Sequence, residues 1–185
     1  MNLYFLIEGA RTERLVYPLW LKHLLPELTE TDDAFEIGDN QFYMFNGNGY
    51  PSVLDNHLRN AVEDVNEIGK YRYLVLCIDA DEVSAAERAA EVRNFVAREG
   101  IRLCAPTELA LVIQNRCIET WFLGNRKVFK CNPQNDRFRS FVAFYDVSKD
   151  DPEAMGCMNG YATHAQFHAA YLNNAPGAQS PVHQA

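Results

Sequence analysis

YRYLVLCIDADE, residues 71–82, is the stretch from which the fold is read. Its apolar run, rich in aromatic and β-branched types, has the pattern of a parallel strand covered on both faces, not of a strand with one wet face. The run stops abruptly at Asp79-Ala80-Asp81-Glu82, so a buried strand delivers a group of carboxylates at its carboxyl end. A helix is predicted from about 84 to 98, with Ala85, Ala89, Val92 and Val96 on one face and Gly100 closing it. IRLCA at 101–105 reads as the next strand.

Upstream the same alternation holds. Residues 2–7 (NLYFLI) form a short apolar run ending at Glu8-Gly9, as a buried strand ending in a turn does. Val16, Leu19, Trp20, His23 and Leu24 then follow helical spacing, and Pro26 marks the end. QFYMF at 41–45 reads as a strand and NGNGYP as a turn. A second amphipathic helix runs from Pro51 to about Ile68, with Leu54, Leu58, Ala61, Val62 and Val65 on one face and Gly69 at its end. The alternation predicts an α/β fold, a mostly parallel central sheet with helices on both faces. Ligands in such sheets bind beyond the carboxyl ends of the strands, where Glu8 and the 79–82 cluster both fall.

Downstream, LALVIQ at 109–114 reads as a strand, CIETWFLGN at 117–125 as a short helix, FVAFYDV at 141–147 as a strand and THAQFHAAYL at 163–172 as a helix. The expected organisation is a core over 1–125, a small α/β C-terminal extension over 126–174 packed on the same domain, and a loose tail over 175–185.

Composition limits the function classes. At 185 residues, 48% of them apolar, the chain can bury a continuous core. No run approaches the roughly 18–20 apolar residues of a membrane helix and the N-terminus has no basic leader, so a soluble cytoplasmic protein with no membrane partner is expected. Cys77, Cys104, Cys117, Cys131 and Cys157 are odd in number and form no CxxC pair, which points to free thiols. A formal charge of −8 argues against a protein that coats nucleic acid by itself. It leaves room for a nuclease, whose metal site is itself acidic.

Two carboxylates spaced i, i+2 after a buried strand can both face a crevice, and Mg²⁺ takes one or two carboxylates with water and substrate phosphate completing the shell. Asp79 and Asp81 fit that role, although Asp also opens ordinary solvated turns. Glu8 stands at the end of its own strand beside a glycine, where it either caps a turn or moves a proton beside a metal-bound phosphate.

Together EGARTE at 8–13, LVLCIDADE at 74–82 and CIETW at 117–121 resemble the Toprim domain, shared by type IA and II topoisomerases, DnaG-type primases and OLD-family nucleases. The spacing most resembles the RloB-like proteins linked to restriction and phage-defence loci, with a weaker echo in GYATHAQFHAAYL at 160–172. The resemblance implies that Glu8 is the general acid or base and also a member of the metal site, and that Asp79 and Asp81 bind Mg²⁺ (or Mn²⁺). It makes Glu119 a further catalytic or metal-binding carboxylate. It implies nuclease activity on DNA or RNA in anti-phage defence. Glu82 is an auxiliary carboxylate, and Glu13 is expected to stabilise the first turn of its helix.

Alternatives remain: a non-catalytic interaction subunit working with an ATPase partner, or a nucleotidyl transferase at the same site. A homodimer is compatible with either. Arg11 and Arg14 flank the crevice and are candidates for holding phosphate, or form a solvated helix end. Arg126, Lys127, Lys130, Arg137 and Arg139, interleaved with Phe129 and Phe138, form the basic cluster, either a strip tracking a nucleic-acid backbone or a solvated face. His164 and His168 have the i, i+4 spacing of a metal pair, without a third ligand nearby.

Overall fold

The computed structural model describes residues 1–125 and 135–175. The chain divides into two compact units, Met1–Asp79 with Ala86–Ile113 and Ala80–Ala85 with Gln114–Ala185.

The first unit is built on a sheet in the order β2-β3-β1-β4-β5. Its strands are β1 (Leu3–Ile7), β2 (Thr29–Glu30), β3 (Gln41–Asn46), β4 (Tyr73–Asp79) and β5 (Glu108–Gln114). β1 pairs in parallel with β3 and with β4, in registers that set Leu3 against Phe42 and Tyr73. β5 starts beside the start of β4, where the Glu108 N–H donates to the Arg72 carbonyl.

Successive side chains of the central strands serve opposite faces. Leu3, Phe5 and Ile7 of β1, with Val75 and Cys77 of β4, pack with Tyr17 and Trp20 of α1 (Thr12–Leu24). Tyr4, Leu6, Leu74, Leu76 and Ile78 pack on the other face against Leu58, Val62, Val65 and Val92. Those four belong to a π-helical turn (Val53–Leu58), the α2 helix that continues it (Arg59–Ile68) and α3 (Ala85–Arg98). The uninterrupted apolarity of 74–78 is thus the imprint of two helical layers.

Three expectations are corrected. IRLCA is not a strand: the Cys104 N–H donates to Asn66 Oδ1 and Asn66 Nδ2 donates to the Arg102 carbonyl. A side chain of α2 has taken the backbone groups a ladder would need, and the fifth strand begins only after Pro106. In α1 the inward face was misjudged. Glu13 and Tyr17 are buried while Leu19 and Leu24 are 66% and 71% exposed.

The third concerns FVAFYDV, whose first half ends α5 (Asp136–Phe144) instead of forming a strand. Asn135 caps that helix by accepting the Arg137 N–H, and the buried residues, Phe138 and Phe141, are three apart as a helix requires. The described part of the extension is therefore helical: α5, a 3₁₀ turn (Pro152–Ala154) and α6 (His164–Asn174), preceded by α4 (Ile118–Leu123) at the end of the expected core. Leu123, Phe138, Phe141, Phe167 and Tyr171 make the core of the second unit.

Candidate acidic site

In the first unit Glu8 sits where three parallel strands end. Its backbone N–H donates to the Cys77 carbonyl of β4 at 3.0 Å, and its carbonyl accepts the Gly49 N–H from the turn after β3 at 2.9 Å. The side chain repeats the pattern: Oε1 accepts the Tyr50 N–H at 3.1 Å and Oε2 accepts the Asp79 N–H at 2.9 Å. Two backbone donors from neighbouring strand ends thus fix the plane of the carboxylate.

Two glycines make this arrangement possible. A Cβ on Gly47 would lie 2.4 Å from Val53 Cγ2 and 2.9 Å from its Cα, so the turn that delivers the Tyr50 N–H packs too tightly for a side chain. A Cβ on Gly9 would lie 2.0 Å from Glu13 Oε2. Glu13 is only 5% exposed, so its carboxylate occupies the space beside the backbone that follows Glu8. Sequence reading gave Glu13 a surface role in the helix dipole; the signal that could have found it is the glycine four residues earlier. Burial pushes the Cys77 thiol up to about 12, with the Glu13 charge adding to the effect, so Cys77 is an inert thiol beneath the site.

Arg14 is turned toward the β2 edge of the sheet, where it pairs with Glu30 and approaches Met44 Sδ. Arg11 is exposed at the start of α1. Arg88 and Glu91 of α3, with Tyr50, make a further linked group. Arg88 lies 3.8 Å from the Tyr50 ring centroid and donates to Glu91 Oε2 at 2.7 Å, and the Tyr50 hydroxyl donates to the same carboxylate. This group carries no sequence motif, but it braces the residue whose N–H holds Glu8.

Asp81, Glu82 and Glu119 belong to the second unit. Asp81 is half-buried and left-handed, with φ +53°. Glu82 is committed to α6: it accepts the His164 N–H at 2.8 Å and lies 2.6 Å from His164 Nδ1. Its carboxyl titrates below the usual range, because those two bonds and the His164 and Arg116 charges outweigh the opposing effect of desolvation. Glu119 is half-buried in the first turn of α4, between the buried Ile118 and Thr120.

His164 and His168 are engaged separately. His168 is fully buried with Nδ1 2.7 Å from the Thr120 hydroxyl, and burial lowers its imidazole to about 4. Of the basic cluster, Arg126, Lys127, Lys130 and Phe129 lie outside the described residues. Arg137 donates to the Tyr161 hydroxyl, Arg139 pairs with Asp136, and Phe138 is core, not a stacking platform.

Among the described residues, no group of three or more His, Cys, Asp or Glu side chains is gathered as metal ligands would be. The side chains of Glu8 and Asp79 are hard oxygen donors, the type that suits a cation such as Mg²⁺, which binds through one or two carboxylates and keeps several waters. Among the described residues no helix is long and apolar enough to cross a membrane. Comparison with family models, with curated proteins and with solved structures returned no match.

Proposed function

We propose that this protein is a Mg²⁺-dependent, Toprim-like nuclease that cleaves phosphodiester bonds in DNA or RNA, with Glu8 and Asp79 at the centre of its site. The observation that carries the reading is the bond from the Asp79 N–H to Glu8 Oε2, which joins the two motif carboxylate residues at one end of a parallel sheet. Asp81 and Glu119 enter through the motif resemblance alone, and so does the role in anti-phage defence.

The chemistry follows from what Glu8 can do. Held by two N–H donors, its carboxylate is oriented before substrate arrives and loses little rotamer freedom in the reaction. It would take a proton from an attacking water or return one to the leaving oxygen. Asp79, with Asp81 and Glu119 as further candidates, would hold Mg²⁺, which supplies charge for the developing phosphorane oxygens and activates bound water.

The test is nicking of plasmid DNA and of single-stranded DNA and RNA with Mg²⁺ or Mn²⁺. Glu8→Gln and Asp79→Asn are each expected to lower the rate by roughly 10²-fold or more with the fold retained, Glu8→Gln at some cost in stability because its NH₂ must face one of the two N–H donors. A wild-type protein inactive on every substrate, with metal present, overturns the reading. The charge of −8 favours a second one, an interaction subunit that works through an ATPase partner. Its mark is co-purification of that ATPase by a protein that binds no metal. Labelled nucleotide transferred to an acceptor would instead identify a nucleotidyl transferase.

A further inference from the structure

The loop 80–83, which carries Asp81, is fastened within the second unit by two residues that the motif reading leaves without a role, Arg116 and His164. Asp81 and Arg116 are left-handed, with φ +53° and +68°, and among the described residues they are the positive-φ positions that are neither glycine nor asparagine. A side chain resists that conformation, and it persists only where the surroundings over-determine it.

Here the two residues hold each other. The Asp81 N–H donates to the Arg116 carbonyl at 2.8 Å, while Arg116 Nη1 donates back to the Asp81 and Val83 carbonyls, both at 3.3 Å. The loop is closed on itself by the Val83 N–H donating to the Ala80 carbonyl, and tied to the end of β5 by the Ala80 N–H donating to the Gln114 carbonyl. A second fastening acts between Asp81 and Val83: both oxygens of Glu82 are taken by His164, one by its backbone N–H and one by Nδ1.

We infer that Arg116 and His164 are positioning residues that fix the loop 80–83 and with it Asp81, and that Glu82 is the strap to α6 and not a metal ligand. The inference rests on the reading of Asp81 as a ligand and assigns a use to two elements that reading leaves idle. It explains why an arginine accepts a left-handed backbone: its guanidinium can then span the two carbonyls that flank Glu82. It also gives the 160–172 segment a task, the delivery of His164 to Glu82.

The experiment uses the whole chain in two measurements, amide hydrogen exchange without metal and Mn²⁺ titration followed by electron paramagnetic resonance. Arg116→Met and Glu82→Ala are expected to speed exchange at the Asp81 and Val83 amides and to weaken Mn²⁺ binding roughly 10-fold or more, as loss of outer supports around metal ligands does. Arg116→Lys, whose ammonium can serve both carbonyls, is expected to restore most of the affinity. Should Arg116→Met fail to fold, His164→Ala, which removes the Nδ1 contact and keeps the Glu82 carboxylate, carries the same comparison.

The inference is overturned if both variants bind Mn²⁺ like wild type while Asp81→Asn does not, or if the lysine variant is no better than the methionine one. A wild-type protein that binds no Mn²⁺ sinks the metal reading instead. The fixed loop is then judged by exchange alone: acceleration confined to 80–83 upholds it, and unchanged exchange refutes it.

Discussion

At Gly9 a single methyl group would collide with a buried carboxylate, since a Cβ there lies 2.0 Å from Glu13 Oε2 and 2.5 Å from Oε1. The collision makes the EG-x-x-T-E spacing a packing statement as well as a chemical one: the glycine is vacant so that the second glutamate can fold back behind the first. Gly9→Ala should therefore cost about 1–3 kcal/mol through overpacking. The cost should shrink in a Glu13→Ala background, because the clashing group is gone; additive penalties in a denaturant-unfolding double-mutant cycle would show that the contact is not the cause. The place of Glu8 at a strand end was legible from the apolar run before it. Its two N–H donors were not, because Tyr50 and Asp79 reach it only through the parallel register of three strands.

Elements whose apolar pattern was continuous or strongly periodic were read correctly, as β4 and α2 were, because burial on defined faces is what writes those patterns. Two of the misreadings share a cause, a local apolar pattern overridden by a polar side chain outside it. Asn66 captures 101–104, and the Asn135 cap starts α5 early enough to draw Phe141 into a helix. The attachment of α6 to α4 through His168 and Thr120 was equally invisible, and it has a consequence for pH. The His168 imidazole titrates at about 4 when folded, against about 6.5 for an ordinary histidine, so the unfolded chain takes the proton first as pH falls. Its contribution is complete above pH 6.5 and is lost on descending toward pH 4, by about 3 kcal/mol at most. Glu82 and Asp146, whose carboxyls are depressed, lose their share only below the ordinary carboxylate range, while Asp64, raised by burial, takes up its proton above that range when folded and works in the opposite direction. Subtracting the stability curve of His168→Gln from that of wild type should isolate this loss, and a pH-independent difference would refute it.

For the whole molecule, the difficulty is how a chain of net charge −8 would hold a polyanion. Arg14 is committed to Glu30, Arg139 to Asp136, and Arg137 is bonded to the Tyr161 hydroxyl, which leaves the exposed Arg11 with Arg126, Lys127 and Lys130 among the basic candidates read from the sequence. Four phosphate contacts correspond to a log–log salt slope of about −3.6, so raising monovalent salt from 50 to 200 mM should weaken binding by no more than roughly 150-fold. Screening of the long-range repulsion between the acidic surface and the backbone works in the opposite direction and lowers that figure further. The measurement is fluorescence anisotropy of a labelled oligonucleotide with Asp79→Asn protein in Mg²⁺, so that cleavage does not intervene. If this chain grips its substrate alone, replacing Arg11, Arg126, Lys127 and Lys130 together by Gln should flatten what salt dependence there is. A loss of 10³-fold or more over the same salt range would need about six or more phosphate contacts, beyond what these side chains supply. Such a result would mean that another copy or another subunit provides the basic surface, and that this chain contributes the acidic chemistry to an assembly.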